Sequence, residues 1–181
     1  MNRTALLPES EIGSINETGI RFGGSGAAWS EHSNRSTFIF STFNIRYAVG
    51  SRLISGSLLR RLGLTGHSRR PDVINRNIET AAGFLSNGKH IPRPDIVALQ
   101  EADVGTVRAA RQDVAGALSG RLSMAYAHAP SMVPPGHDPA SKQWYLDFEE
   151  RIASGDTGDT GIAILANTEF DKVQRIELPW T

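Results

Sequence analysis

The chain has 181 residues, of which 39% are hydrophobic, with a mean hydropathy of -0.27 and a formal net charge of zero. That is enough chain to bury one core of ordinary domain size, while no apolar run nears the roughly 18 residues of a membrane span. With no cysteine in the sequence, disulfides, thiolate catalysis and cysteine-based zinc sites are excluded, and charge balance predicts no whole-molecule attraction to nucleic acid.

Residues 1–36 are rich in Gly, Ser and Asn, carry scattered charge and keep no sustained period. They are read as a flexible leader before a domain spanning 37–181. Pro8, Glu9, Glu11 and Glu17 do not suit a secretory signal, so a cytoplasmic chain is expected. Gly23-Gly24-Ser25-Gly26 lacks the preceding strand and the following Lys-Ser/Thr of a phosphate loop.

Thr37–Phe43 is rich in β-formers and predicts the first core strand, ending at Asn44-Ile45-Arg46. An amide oxygen is a hard ligand suited to Mg²⁺ or Ca²⁺, and a guanidinium clamps phosphate through two parallel bonds. The plainer alternative is a turn at Asn44 and a surface charge at Arg46. From Ala48 to Arg70 the glycines predict loop, with a short helix read at Ser57–Leu64. Pro71 then opens a helix to about Ser86, because Ile74, Ile78, Ala81, Ala82 and Leu85 share one helical face. Asn87-Gly88 supplies its left-handed stop.

Pro94-Asp95-Ile96-Val97-Ala98-Leu99-Gln100-Glu101 is the stretch around which the domain is organised. A short branched apolar run with a proline before it reads as a strand buried on both faces, and ligands of open α/β sheets bind at strand ends. The run delivers Glu101 to that lip. A carboxylate there must be solvated, paired or bound to a cation, so Glu101 is a candidate metal ligand, or else a capping or salt-bridged side chain. A second helix is predicted from Thr106 to Ser119, stopped at Gly120. Leu122–Ala127 reads as a strand, residues 130–142 as a proline-rich loop, and Gln143–Phe148 as a strand. His128 reads as a packed or hydrogen-bonded histidine. Asp156–Gly161 is a turn-rich acidic stretch without the distal glutamate of a calcium loop. Gly161–Leu165 is a buried strand, with Lys172–Leu178 expected as its hairpin partner.

Charge is uneven along this order. Arg46 to Arg76 holds seven arginines against one acid, and Asp147 to Glu177 holds eight acids against three basic residues. The first can attract phosphate, or the two can be solvated loops that neutralise each other.

Three stretches taken together, Phe43-Asn44-Ile45-Arg46, Leu99-Gln100-Glu101 and Gly158-Asp159-Thr160-Gly161-Ile162-Ala163-Ile164-Leu165, resemble the endonuclease/exonuclease/phosphatase superfamily. The resemblance covers about Thr37 to Thr181. It implies a four-layer α/β sandwich of two mixed sheets flanked by helices, and metal-dependent phosphodiester or phosphomonoester hydrolysis. By position, Glu101 is implied as the main protein ligand of Mg²⁺ (or Mn²⁺). Asn44 is implied beside it on metal or phosphate, and Arg46 on substrate phosphate. The family's later Gly-Asp-x-Asn and Asp-His motifs are not in the sequence. The expectation is therefore the amino-terminal half of the domain, truncated and inactive alone, with a sheet face and strand edges at Gly161–Leu165 or Lys172–Leu178 open to self-association. Nucleic acid, a phospholipid head group and a small molecule stand as phosphate-ester substrates. The alternative is a non-catalytic module that binds phosphate or nucleic acid, or complements a partner.

Overall fold

The computed structural model describes residues 3–6, 19–25, 37–48, 70–89, 91–131 and 158–176. In chain order they form strands β1 (Arg3–Leu6), β2 (Arg21–Gly23) and β3 (Phe40–Asn44), a 3₁₀ turn (Arg46–Ala48), helix α1 (Arg70–Ser86), strand β4 (Ile96–Val104), helix α2 (Val114–Leu122), and strands β5 (Ala125–Pro130), β6 (Asp159–Ala166) and β7 (Lys172–Arg175). The fold is α/β. A mixed five-stranded sheet has the order β2-β5-β6-β4-β3, and β1 and β7 pair as a separate two-stranded ribbon. Strands β3 and β4 run parallel, joined through α1. The remaining neighbours in the sheet are antiparallel.

Both helices cover one face of the sheet. Helix α1 carries Pro71 and Asp72 in its first turn, where a missing N–H is harmless and a negative charge meets the helix dipole favourably. It buries Ile74, Ile78, Ala81, Ala82 and Leu85. Burying each of its large aliphatic side chains contributes about 1.5–3 kcal/mol. It stops as its sequence predicts, with Gly88 at φ 66°. Helix α2 adds Val114, Ala115, Leu118 and Leu122 to the same core, against Val97 and Leu99 of β4, Tyr126 of β5 and Ala163 and Leu165 of β6. Asp95 pins the mouth of β4: its carboxylate accepts from Ile39 N at 2.9 Å and from Asn167 Nδ2 at 2.7 Å.

The opposite face is only partly covered. Cross-strand partners share a face, so the register sets Thr42, Ala98, Ile164, Ala127 and Phe22 in one row across the sheet. At one end of this row Ile20, Phe22 and Ala127 pack with Phe170 and with Val173 of β7. Towards the other end, Ile164 is 47% exposed, Ile162 58% and Phe40 64%. A second pair of layers, as a four-layer sandwich requires, is not among the described residues.

Several expectations are corrected. The segment read as a flexible leader contributes β1 and β2, the latter an edge strand paired with β5. Gly161–Leu165 is not an open edge: β6 lies between β4 and β5. Lys172–Arg175 pairs with β1 and not with β6, because pairing across the length of a chain leaves no local signal. The helix expected over Thr106–Ser119 begins only at Val114. Ala110 and Arg111 adopt φ 53° and 62°, which ends a helical path, and Asp113 caps a fresh start by accepting from Gly116 N at 2.8 Å. Gly120 lies inside α2, and the left-handed stop is Ser123. Asp159–Gly161 belongs to β6 and not to a turn. The strand read at Leu122–Ala127 is shifted to Ala125–Pro130. The readings at Ser57–Leu64 and Gln143–Phe148, and Arg52, Arg60, Arg61 and Arg69, lie outside the described residues.

Candidate functional site

Parallel strands joined by a crossover helix end on the same side of a sheet. Asn44, the last residue of β3, is therefore in register with Gln100 of β4. That register brings together two side chains 57 positions apart: Asn44 Nδ2 donates to Glu101 Oε1 at 2.9 Å. The Asn44 carbonyl oxygen accepts from the backbone N–H of Arg46 at 2.9 Å. These two partners fix the orientation of the amide, since a flip would set oxygen against carboxylate and NH₂ against N–H. Both ends of Asn44 are thus engaged, and it orients Glu101 before it offers an oxygen to anything else. Arg46, at φ 46° and exposed, stands at the rim of the same strand end.

Glu101 has an unusual backbone. It sits at φ 55°, a left-handed conformation that costs a non-glycine residue about 1–3 kcal/mol unless its surroundings over-determine it. The cause is a bulge. Leu99 pairs with Ala163 and Ala102 with Gly161, so three steps along β4 match two along β6. The residue at this point of such a bulge is usually glycine. Its other carboxylate oxygen, Oε2, is buried and has no hydrogen-bond partner among the described residues. A buried acceptor left unmet costs about 1–3 kcal/mol.

Among the described residues no three His, Cys, Asp or Glu side chains gather into a metal cage. One carboxylate is nevertheless a sufficient protein anchor for Mg²⁺, which keeps several waters and completes its shell with phosphate oxygens. The donor set fits that ion: a hard oxygen, buried, unsatisfied and held by a neighbouring amide.

Three polar features lie beyond the strand ends; two ion- or hydrogen-bonded pairs went unread in the sequence, while His128 is the packed, hydrogen-bonded histidine expected from it. Asp103 and Arg108 form a buried ion pair with Nε–Oδ2 at 2.6 Å and Nη2–Oδ1 at 3.0 Å, and Thr106 Oγ1 donates to the same carboxylate. The signal available was Asp103-x-x-Thr106, a local side-chain-capped turn. Tyr126 OH donates to Asp113 Oδ2 at 2.7 Å, and burial, with the Asp113 charge beside it, pushes the phenol well up. His128 is fully buried with Nε2 at 3.0 Å from the Ala102 carbonyl, and burial holds its imidazole below the usual histidine range. His32, His67, His90 and His137 lie outside the described residues. No described helix is long and apolar enough to cross a membrane. Comparison of the chain with models of known protein families, with curated proteins and with solved structures finds no match.

Proposed function

We propose that the chain is a metal-dependent phosphoesterase domain related to the endonuclease/exonuclease/phosphatase superfamily, with Glu101 as its anchor for Mg²⁺ or Mn²⁺. The observation that carries this reading is the buried Glu101 Oε2, without a hydrogen-bond partner among the described residues, on a residue at φ 55°. Strain and an unmet acceptor together at a strand end are tolerated where a ligand repays them. Asn44 holds the carboxylate in place by its bond to Oε1. Arg46 offers the positive charge that a substrate phosphate needs at the same rim. A cation bound there supplies charge neutralisation and orients the attack on phosphorus. The substrate belongs to the phosphate esters, whether nucleic acid, phospholipid head group or small molecule.

The same reading supplies an architecture. The partly covered sheet face is the inner face of a four-layer sandwich, and the β1–β7 ribbon, packed through Val173 on Phe22 and Ala127, belongs to the second sheet. It also assigns the general base and catalytic histidine to the family's Gly-Asp-x-Asn and Asp-His motifs, which are not in the sequence, so the chain alone is expected to bind metal and phosphate without turnover.

Mn²⁺ binding, followed by water-proton relaxation, tests the reading. The wild type is expected to bind weakly, with water completing the shell, and Glu101→Gln to abolish binding. Equal binding by the two proteins would remove Glu101 from any metal site. Salt-sensitive binding of anionic polymers that survives Glu101→Gln would instead favour the phosphate-binding module.

A further inference from the structure

The bulge that presents Glu101 is held from both sides through the carbonyls that flank it. On one side Ile45 N donates to Gln100 O at 3.2 Å, from the strand end of β3. On the other, His128 Nε2 lies 3.0 Å from Ala102 O. A carbonyl only accepts, so Nε2 carries a proton and donates it, and burial favours the neutral ring. His128 belongs to β5 and Ala102 to β4, and β6 runs between them. The imidazole crosses that strand at Gly161, where an added Cβ would collide with the Ala129 carbonyl and would also come within 2.9 Å of Nε2. Glycine at this one position leaves the path open. The other ring nitrogen, Nδ1, is buried and makes no hydrogen bond among the described residues, so the contact with Ala102 is the ring's one specified polar role there.

We propose that His128 is a positioning residue for Glu101: it reaches over Gly161 to hold the Ala102 carbonyl and so fixes the bulged backbone that aims the carboxylate. A merely space-filling side chain would serve the core equally well. A neutral N–H donor serves only if the carbonyl after Glu101 must stay where it is. This role rests on the reading of Glu101 as a metal anchor, and it adds to that reading a residue 27 positions away on another strand.

The test uses the full chain as wild type, His128→Gln, His128→Phe and His128→Asn. Glutamine can set an N–H near the place of Nε2; phenylalanine fills the space without a donor; asparagine is too short to reach. Two readouts are taken on each: hydrogen exchange of peptides covering residues 100–104 against those covering 96–99, and Mn²⁺ binding by relaxation. In the phenylalanine and asparagine variants, exchange over 100–104 is expected to rise about fivefold or more, the loss of one ordinary hydrogen bond. Exchange over 96–99 should be unchanged and Mn²⁺ affinity should fall by a similar factor. Glutamine should restore both. Unchanged exchange over 100–104 in a folded phenylalanine or asparagine variant would overturn the proposal, as would a glutamine variant that behaves like phenylalanine. If the phenylalanine variant does not fold, the glutamine–asparagine comparison decides alone. If the wild type binds no Mn²⁺, the metal reading fails, while exchange still decides whether His128 holds the bulge.

Discussion

Replacing Arg108 by methionine should destabilise the protein more than any change at the candidate site. The guanidinium and the Asp103 carboxylate are 2% and 0% exposed. Asp103 accepts three side-chain hydrogen bonds, two from Arg108 and one from Thr106. Methionine keeps the aliphatic stem but removes both guanidinium bonds and the compensating charge. A buried carboxylate is left with one hydroxyl, and breaking one half of such a pair costs about 3–5 kcal/mol. Against a typical net stability of about 5–15 kcal/mol, that is a large fraction. With a urea m-value near 2 kcal/mol/M, the unfolding midpoint should fall by about 2 M. The double variant Asp103→Leu with Arg108→Met removes charge from both partners and should recover most of the loss, because a buried pair gains little over apolar packing. Denaturation followed by tryptophan fluorescence and by circular dichroism measures both proteins. A loss under about 1 kcal/mol in Arg108→Met would show that the pair is solvated and that this account of β4's end is mistaken.

Asn44→Ala should lower Mn²⁺ affinity through a loosened Glu101, yet change stability by only about 1 kcal/mol, since the amide is exposed; calorimetric titration beside a thermal melt separates the two effects. For pH, the groups acting on His128 are Arg21, Asp113 and Asp159, together with the Ala102 carbonyl, and burial dominates in lowering its pKa. The unfolded chain therefore takes up the proton first. This contribution is fully present above the ordinary value of about 6.5 and is lost as pH falls from there towards the lower folded pKa. Melting temperature should drop over that window in the wild type, and the drop should shrink in His128→Gln; parallel profiles would refute the assignment. On the open sheet face, Ile162→Thr with Ile164→Thr should reduce self-association seen by light scattering, because both side chains are exposed and threonine keeps the strand preference. An unchanged mass distribution would place the sticky surface elsewhere.

What the sequence disclosed follows the range of the interactions involved. Helix α1 was legible because its apolar face repeats at 3.6 residues and its ends carry Pro71 and Gly88, all local signals. The apolar runs of β4 and β6 were legible as strands, but the burial expected of them holds on one face only: Ile96 and Ala98 are half-buried, and Ile162 and Ile164 are exposed on the face the helices do not cover. Pairing was not: β7 joins β1 across most of the chain, and β2 docks on β5 from a Gly- and Ser-rich segment. The start of α2 was obscured because Val107, Ala110, Val114 and Leu118 mimic a helical stripe. Only the left-handed turns at Ala110 and Arg111, and the cap at Asp113, break it. Asn44 and Glu101 were legible as polar ends of two strands, and a parallel pair brings such ends together. The pairing of Asp103 with Arg108 was not, and His128 was legible as a packed or hydrogen-bonded side chain but not in its partner, Ala102, which the fold brings near.

The least legible feature is also the one that presents Glu101 at the candidate site. In a regular strand, side chains alternate between faces. Val97 and Leu99 point into the helix-covered core, so strict alternation would drive the Glu101 carboxylate in after them. An ion buried there without a partner would cost several kcal/mol. The bulge between Leu99 and Ala102 resolves the conflict by adding one residue to β4. Ala102 takes the core position in place of Glu101 and is fully buried. Glu101 absorbs the displacement as a left-handed turn that leaves Oε1 on Asn44 and Oε2 unpartnered among the described residues. The strain at φ 55° is therefore the cost of keeping a carboxylate at the rim of an apolar strand. The bonds to Gln100 O and Ala102 O hold that backbone against the regular register, which would carry the Glu101 carboxylate into the core.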